Sequence, residues 1–358
     1  MSLSVRGVVL SAVYPQAPSK GKWCFSASSG VNRCFTTLNA PRQGNWSSCG
    51  AFALKLKEII MKKSTAKASR KPAKKAAAKK VTKKSAKPAK KTAAKAPRKP
   101  LAVVTGGSSG IGFELAKLFL LNDYDVIIAA ENAGLANAQK RLAPMGNVKA
   151  VKVDLAKESG VKKLYAAIKA DGRPLDAIAI NAGVGTNGDF VRDLKIKNEI
   201  DMISLNVVST VHLAKLVLGS MVKRGKGRVL FTSSIASLAP GPYMATYYAT
   251  KAFVSSFTDA LRNELKDSGV TITTLMPGAT ETNFFRRAGM EDTAVAQGSK
   301  DDPADVAKDG FDAMMAGTDK IVAHSMTSKL NALAERILPA GLAASMGAAE
   351  SKPGSATQ

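Results

Sequence analysis

From Leu101 onward, short apolar runs recur along the chain at 101–105 (LAVVT), 125–130 (DVIIAA), 149–153 (KAVKV), 176–180 (DAIAI), 228–232 (RVLFT), 271–276 (TITTLM) and 319–323 (DKIVA). Between them lie stretches whose apolar positions repeat at helical spacing, such as Phe113-Glu114-Leu115-Ala116-Lys117-Leu118. Most of the short runs lack the strict in–out alternation of a half-solvated strand and suit strands covered on both faces. Strands alternating with helices make βαβ units, and right-handed crossovers wind these into a doubly wound parallel α/β sheet, here of about seven strands.

Before Leu101 that pattern is missing. Residues 1–60 are rich in Ser, Gly, Asn and Arg, with Trp23, Phe25, Phe35 and Trp46 scattered and no sustained period, so they are expected to be an unstructured leader. The leader reads either as a transit-like segment, Ser- and Arg-rich and nearly free of acid, or as sequence ahead of a start at Met61. Residues 61–100 repeat Lys pairs with Ala and Pro, as in Lys71-Pro72-Ala73-Lys74-Lys75, and cannot bury enough apolar surface to offset the entropy of ordering. Residues 101–344 are expected to form one catalytic domain and 345–358 a disordered tail.

Charge sharpens the division. The chain of 358 residues carries a net +26, but residues 61–100 hold 17 Lys and Arg with no acid, and residues 101–358 hold 29 basic against 26 acidic residues. The basicity belongs to the extension, which resembles the tails of linker histones; such tails neutralise phosphates without reading sequence. A solubilising, self-repelling linker is the alternative. Cys24, Cys34 and Cys49 lie in the first fifty residues with no metal-ligand spacing, and His212 and His324 stand alone, so no metal site is expected. No uninterrupted apolar run reaches the roughly 18 residues of a membrane span. A soluble cytoplasmic protein is expected, or an organellar one if the leader is a transit peptide.

The first apolar run passes directly into Thr105-Gly106-Gly107-Ser108-Ser109-Gly110-Ile111-Gly112 and then into a helical stretch. Glycines at a strand–helix turn let the backbone approach a pyrophosphate, which the N–H groups and dipole of the helix start attract. Farther on, Tyr247-Tyr248-Ala249-Thr250-Lys251 sets Tyr247 and Lys251 four apart, on one helix face. A tyrosine titrates near 10, and a neighbouring ammonium lowers that value, so Lys251 is expected to make Tyr247 a usable general acid/base.

Taken with two further motifs, these residues are similar to the short-chain dehydrogenase/reductase family. TGGSSGIG matches its TGxxxGxG turn, Asn181-Ala182-Gly183 its NAG motif and Pro277-Gly278-Ala279-Thr280-Glu281-Thr282 its PGxxxT, while Tyr247 and Lys251 match YxxxK. The resemblance covers residues 101–325. It implies a Rossmann-type fold, a nicotinamide cofactor, and hydride transfer between nicotinamide C4 and a carbonyl or secondary alcohol.

Residue by residue, the resemblance assigns catalysis to Asn206, Ser234, Tyr247 and Lys251. Ser234, 13 residues before Tyr247, would bond the reacting oxygen, with Ser233 as the adjacent alternative; Asn206 would bend its helix and help hold a water linked to Lys251. The cofactor would meet Gly106, Ser108, Ser109, Gly110, Ile111 and Gly112, then Asp154 (at the adenine amine) and Leu155. Asn181, Ala182, Gly183, Pro277, Gly278 and Thr282 (at the nicotinamide amide) would complete its site, with Tyr247 and Lys251. Glu131, 21 residues past Gly110 at the end of the second run, is placed to bond a ribose 2′-hydroxyl and repel a 2′-phosphate, which favours NAD over NADP.

Leu238, Tyr243, Met244, Phe284 and Phe285 point to an apolar substrate pocket, or else serve packing or subunit contacts. Homodimers or homotetramers are implied, paired through the helices carrying Asn206 and Tyr247, with Leu213, Leu216, Val217, Phe253 and Phe257 as candidate contacts, some of which must instead face the sheet. Two rival functions remain at this level: a polyanion- or DNA-binding protein acting through residues 62–100, and a non-catalytic dinucleotide sensor on the same fold.

Overall fold

A computed structural model describes residues 2–5, 8–11, 98–323 and 339–357. The basic segment 61–100, apart from its last three residues, and most of the leader lie outside the described residues. Within the leader, Ser2–Val5 and Val8–Ser11 pair as a short antiparallel ladder where the sequence suggested no element.

Among the described residues, the domain from Leu101 contains seven strands: β1 (Leu101–Thr105), β2 (Asp125–Ala130), β3 (Val148–Lys152), β4 (Leu175–Ile180), β5 (Gly227–Thr232), β6 (Val270–Met276) and β7 (Lys320–Val322). They form one parallel sheet in the order β3-β2-β1-β4-β5-β6-β7. Each lies within about a residue of the run that announced it, because β-branched and apolar side chains filling a two-sided slot leave little freedom in register. In β1, Leu101 and Val103 enter one core, while Ala102 and Val104 enter the other.

On the first face lie α3 (Glu158–Ala170), α5 (Ser209–Arg224) and α6 (Ala245–Leu265). Val161, Leu164, Leu213, Val217 and Met221 pack there on the sheet. The second face is covered by α1 (Gly110–Leu121), α2 (Gly134–Leu142) and α9 (Pro303–Ala316), where the Phe119 and Phe311 rings meet edge-on at 5.2 Å. Leu213 and Val217 are therefore core residues, which corrects their expected place at a subunit surface; Leu216 and Phe257 are partly buried against the same core.

Helix α4 (Ile196–Ile203) runs through a π-helical turn at Ser204–Val208 into α5. The continuous run Ile196–Arg224 is long and apolar enough, by length and composition, to cross a membrane; in this fold Met202, Leu213, Val217 and Met221 bury one of its sides. Two short helices, α7 (Phe284–Ala288) and α8 (Ala294–Gln297), follow β6.

The expected disordered tail is instead ordered as far as Thr357. Ala340–Ser351 forms helix α10 and Ser355–Thr357 a 3₁₀ turn. Asn187 donates to the Ser351 carbonyl (2.8 Å), Ala294 N–H donates to Ser355 Oγ (2.9 Å), and Gly354 N–H donates to the Asp292 carboxylate (2.8 Å). Backbone and small polar groups hold this segment, so it lacks the apolar periodicity that would have marked it in the sequence.

Candidate active site

The sheet order reverses between β1 and β4, and loops leaving the C-terminal ends of the strands open a crevice there. A cavity of about 620 Å³ occupies it, within the usual range for a ligand site, roughly 300–1,000 Å³.

At one end is the glycine turn. Gly106 and Gly110 adopt the left-handed conformation, at φ +70° and +55°. A Cβ on Gly112 would lie 2.3 Å from the Gly106 carbonyl oxygen, so only glycine lets α1 start this close to β1. The N-cap, Ser109, makes no side-chain cap, and the first turn of α1 holds no acid, which leaves backbone N–H donors and the positive end of the helix open to an anion. These features fit the diphosphate of a dinucleotide.

Asn181 braces the floor. Its side chain donates to the Thr105 carbonyl (3.1 Å) and accepts from Thr232 Oγ1 (3.0 Å), tying together the ends of β1, β4 and β5. Gly183 is confined from the other side, since a Cβ there would stand 3.3 Å from both Asn206 Oδ1 and Lys251 Nζ. Across the cleft, Thr282 reaches over the glycine turn: a Cβ on Gly110 would sit 2.8 Å from its methyl group.

Ser234 closes the gap between floor and helix. It caps the 3₁₀ turn Ile235–Ser237 by accepting from Ala236 N–H (3.1 Å), its hydroxyl donates to the Pro277 carbonyl (3.3 Å), and it lines the cleft together with Tyr247. Ser233 turns inward instead, donating to the Lys251 carbonyl (2.9 Å) and meeting Ser255 Oγ at 2.9 Å, which makes it a strut of α6. The geometry thus separates the two adjacent serines.

Tyr247 is half-buried and lines the cleft. That burial pushes the phenol pKa well above its ordinary value, and the contact with Ser234 draws it partly back. Lys251 Nζ stands 5.7 Å from the centre of the Tyr247 ring and donates to the Thr232 carbonyl (3.1 Å). Burial lowers Lys251 to about 8. The expected depression of Tyr247 by its neighbour is therefore not what the protein alone shows: desolvation works on both groups, disfavouring the phenolate and the ammonium alike.

Asn206 lies inside the π-helical turn, 2 % exposed. Its carbonyl oxygen accepts from Val184 N–H (3.0 Å), and its amide donates to the Val184 carbonyl (2.9 Å) and to Thr250 Oγ1 (3.1 Å). The amide thus clamps the chain just beyond Asn181-Ala182-Gly183 to α6, one residue from Lys251.

Gly106, Ser108, Ser109, Gly110, Ile111, Gly112, Glu131, Leu155, Asn181, Ala182, Gly183, Pro277, Gly278 and Thr282 all line the cavity with Ser234, Tyr247 and Lys251. Asp154 does not. Its carboxylate accepts from Ala156 N–H (3.0 Å) and pairs with Lys157 (3.1 Å), so in the protein alone it shapes the turn after β3. At the end of the cleft away from the glycine turn, Met244, Phe284 and Phe285 form an apolar cluster with Tyr248, Met290 and Val295; Leu238 and Tyr243 fall outside the lining.

Sequence reasoning missed four contributors. Arg287 lines the cleft from α7, and Glu350 and Ser351 reach it from α10. Glu199, buried in α4, accepts from Thr186 Oγ1 (2.7 Å) and fastens the loop after β4. None carries a motif; their roles follow from tertiary placement alone.

A seven-stranded parallel sheet with a glycine-lined anion cradle at its switch point, and beside it a buried lysine next to a half-buried tyrosine, defines a dinucleotide-binding α/β oxidoreductase. Residues 100–292 match the family model for short chain dehydrogenases, and the chain belongs to that family. An uncharacterised short-chain type dehydrogenase/reductase of Sinorhizobium fredii is 35% identical over 202 residues, 53% of this chain and 74% of that protein. Dehydrogenase/reductase SDR family member 7B of Rattus norvegicus is 30% identical over 233 residues, 61% of this chain and 71% of its own. A short-chain dehydrogenase of Sphingobium yanoikuyae, solved in complex with NADPH, superposes with a TM-score of 0.59 at 26% identity, covering 65% of this chain and 92% of that one.

Proposed function

We propose that this protein transfers hydride between a nicotinamide cofactor and a carbonyl or secondary alcohol, with Tyr247 as general acid/base. The observation that carries this reading is the convergence of Ser234, Tyr247 and Lys251 at the floor of a cleft whose other end is a glycine-lined anion cradle. The backbone N–H groups at the start of α1 would hold the diphosphate, and Lys251 the nicotinamide ribose. A nicotinamide bound there would supply or accept the hydride at its C4 position.

Ser234 would donate a hydrogen bond to the substrate oxygen, fixing it beside the Tyr247 hydroxyl and stabilising the charge that develops on it. In reduction, Tyr247 would give that oxygen its proton; in oxidation, it would take one. A phenol is protonated at neutral pH, so Tyr247 stands ready to give a proton in reduction, while the burial that raises its pKa disfavours the phenolate that oxidation requires. The apolar cluster around Phe284 and Phe285 would exclude water and favour an apolar substrate. Likeness to a protein solved with NADPH supports a nicotinamide cofactor.

The test is a panel of ketones and secondary alcohols assayed with NADH and NADPH, or their oxidised forms, by nicotinamide absorbance. Tyr247→Phe should lower kcat by at least ~100-fold, the scale of general acid/base assistance, while leaving cofactor affinity intact. Tyr248→Phe is the control. Equal loss from both substitutions would overturn the assignment of Tyr247.

A further inference from the structure

Glu131, at the turn leaving β2, and Arg287, in α7, face each other over the cleft, with Nη2 3.8 Å from Oε1. Both line the cavity. Their side chains are 52% and 43% exposed, so neither is locked to the other and either can change partner. The segment carrying Arg287 is brought here by Thr282, which packs over Gly110. Beside Glu131, Asn132 donates to Ser108 Oγ (2.9 Å), placing two further polar groups on the same rim.

We propose that Arg287 selects the cofactor: it neutralises Glu131 and offers its guanidinium to a ribose 2′-phosphate, so that the site admits NADP(H) as well as NAD(H). This rests on the nicotinamide reading above. Glu131 by itself repels a 2′-phosphate, which is why the sequence favours NAD. A guanidinium at the same point offsets that field, and its planar fork matches phosphate oxygens better than a point charge would. When a 2′-hydroxyl is present instead, Glu131 accepts from it and Arg287 remains the partner of the carboxylate. Neither Ser109, beside the glycine turn, nor Glu131, at the end of β2, carries a positive charge, so the cation on this rim comes from α7.

Binding isotherms of the full chain test this without any substrate. NADH, NADPH, adenosine 2′,5′-bisphosphate and 5′-AMP are titrated into the wild type, Arg287→Ala, Arg287→Lys and Glu131→Gln. Loss of one charged hydrogen-bond partner should raise the NADPH/NADH ratio of Kd values about tenfold in Arg287→Ala. The bisphosphate/AMP ratio should rise in parallel, Arg287→Lys should fall between, and Glu131→Gln should lower both ratios. Unchanged ratios, or equal weakening of both dinucleotides, would overturn the proposal, the second by showing that Arg287 serves the shared diphosphate. Failure of the wild type to bind either dinucleotide would instead overturn the nicotinamide reading itself.

Discussion

The Lys251 ammonium stands 5.7 Å from the centre of the Tyr247 ring and spends its hydrogen bond on the Thr232 carbonyl at the end of β5. The strand fixes the cation and α6 fixes the phenol, so the spacing of the pair depends on how the helix docks on the sheet. Because burial brings Lys251 down to about 8, its charge is present below that pH and lost above it. We expect kcat/KM to fall as pH rises through about 8. Lys251→Arg, which stays charged, should move that limb upward even at a lower overall rate, as read from pH–rate profiles on any substrate that the ketone and alcohol panel identifies. Stability changes in the opposite direction: the folded state sheds this proton more readily than the unfolded chain, so the contribution of Lys251 improves between about 8 and the ordinary value of 10.5.

Asn206 acts on the same pair from behind. Its three hydrogen bonds join Val184 to Thr250, and truncation would leave buried partners unsatisfied. Asn206→Ala should cost about 2 kcal/mol or more in unfolding free energy. It should also lower kcat more than it weakens cofactor binding, since the diphosphate cradle lies elsewhere. Denaturant titration and nicotinamide binding, measured on the same preparation, separate the two effects.

How much of this was legible beforehand varies with the kind of signal. The seven strands and the glycine turn were written in local chemistry, because a strand buried on two faces must be apolar and Gly112 cannot carry a Cβ beside the Gly106 carbonyl. Asn181, Ser234, Tyr247 and Lys251 were legible as a spaced set. Asp154, expected to meet the adenine amine, accepts from Ala156 N–H and pairs with Lys157 in the protein alone, bonds that no spacing in the sequence announces. Leu213 and Val217 looked like interface residues because helical period marks an apolar stripe without saying what covers it. Arg287 and Asp292 had no signal at all, since each matters only through partners distant in the sequence, Glu131 and Gly354.

Asp292 offers a test of the C-terminal segment. Its carboxylate accepts from Gly354 N–H and its carbonyl from Ala356 N–H (3.0 Å), while Ser351 is buried to 3% at the edge of the cavity. Asp292→Ala removes the carboxylate anchor but leaves the sheet untouched. We expect faster proteolysis after residue 339 with little change in the midpoint of global unfolding. Limited proteolysis followed by mass spectrometry would check this; an unchanged cleavage pattern would show that the anchor contributes nothing.

Subunit pairing is the last expectation, and the structure changes which residues should carry it. Leu213 and Val217 are spent in the core, whereas Ile200 (51%), Val208 (57%) and Phe253 (40%) remain exposed on α4, the π-helical turn and α6. These are the elements that hold Asn206 and Tyr247, so a partner seated on them would stiffen the helices that position the catalytic groups. A stable interface buries on the order of 1,000 Å² or more, and large apolar side chains supply most of its energy when water is excluded around them. Val208→Asp combined with Phe253→Asp should therefore convert a dimer or tetramer into monomer without unfolding it. Activity should fall with dilution in the wild type but not further in the variant. Light scattering at micromolar concentration is the measurement. A wild type that is monomeric there, or a double variant of unchanged mass, would move the association surface elsewhere.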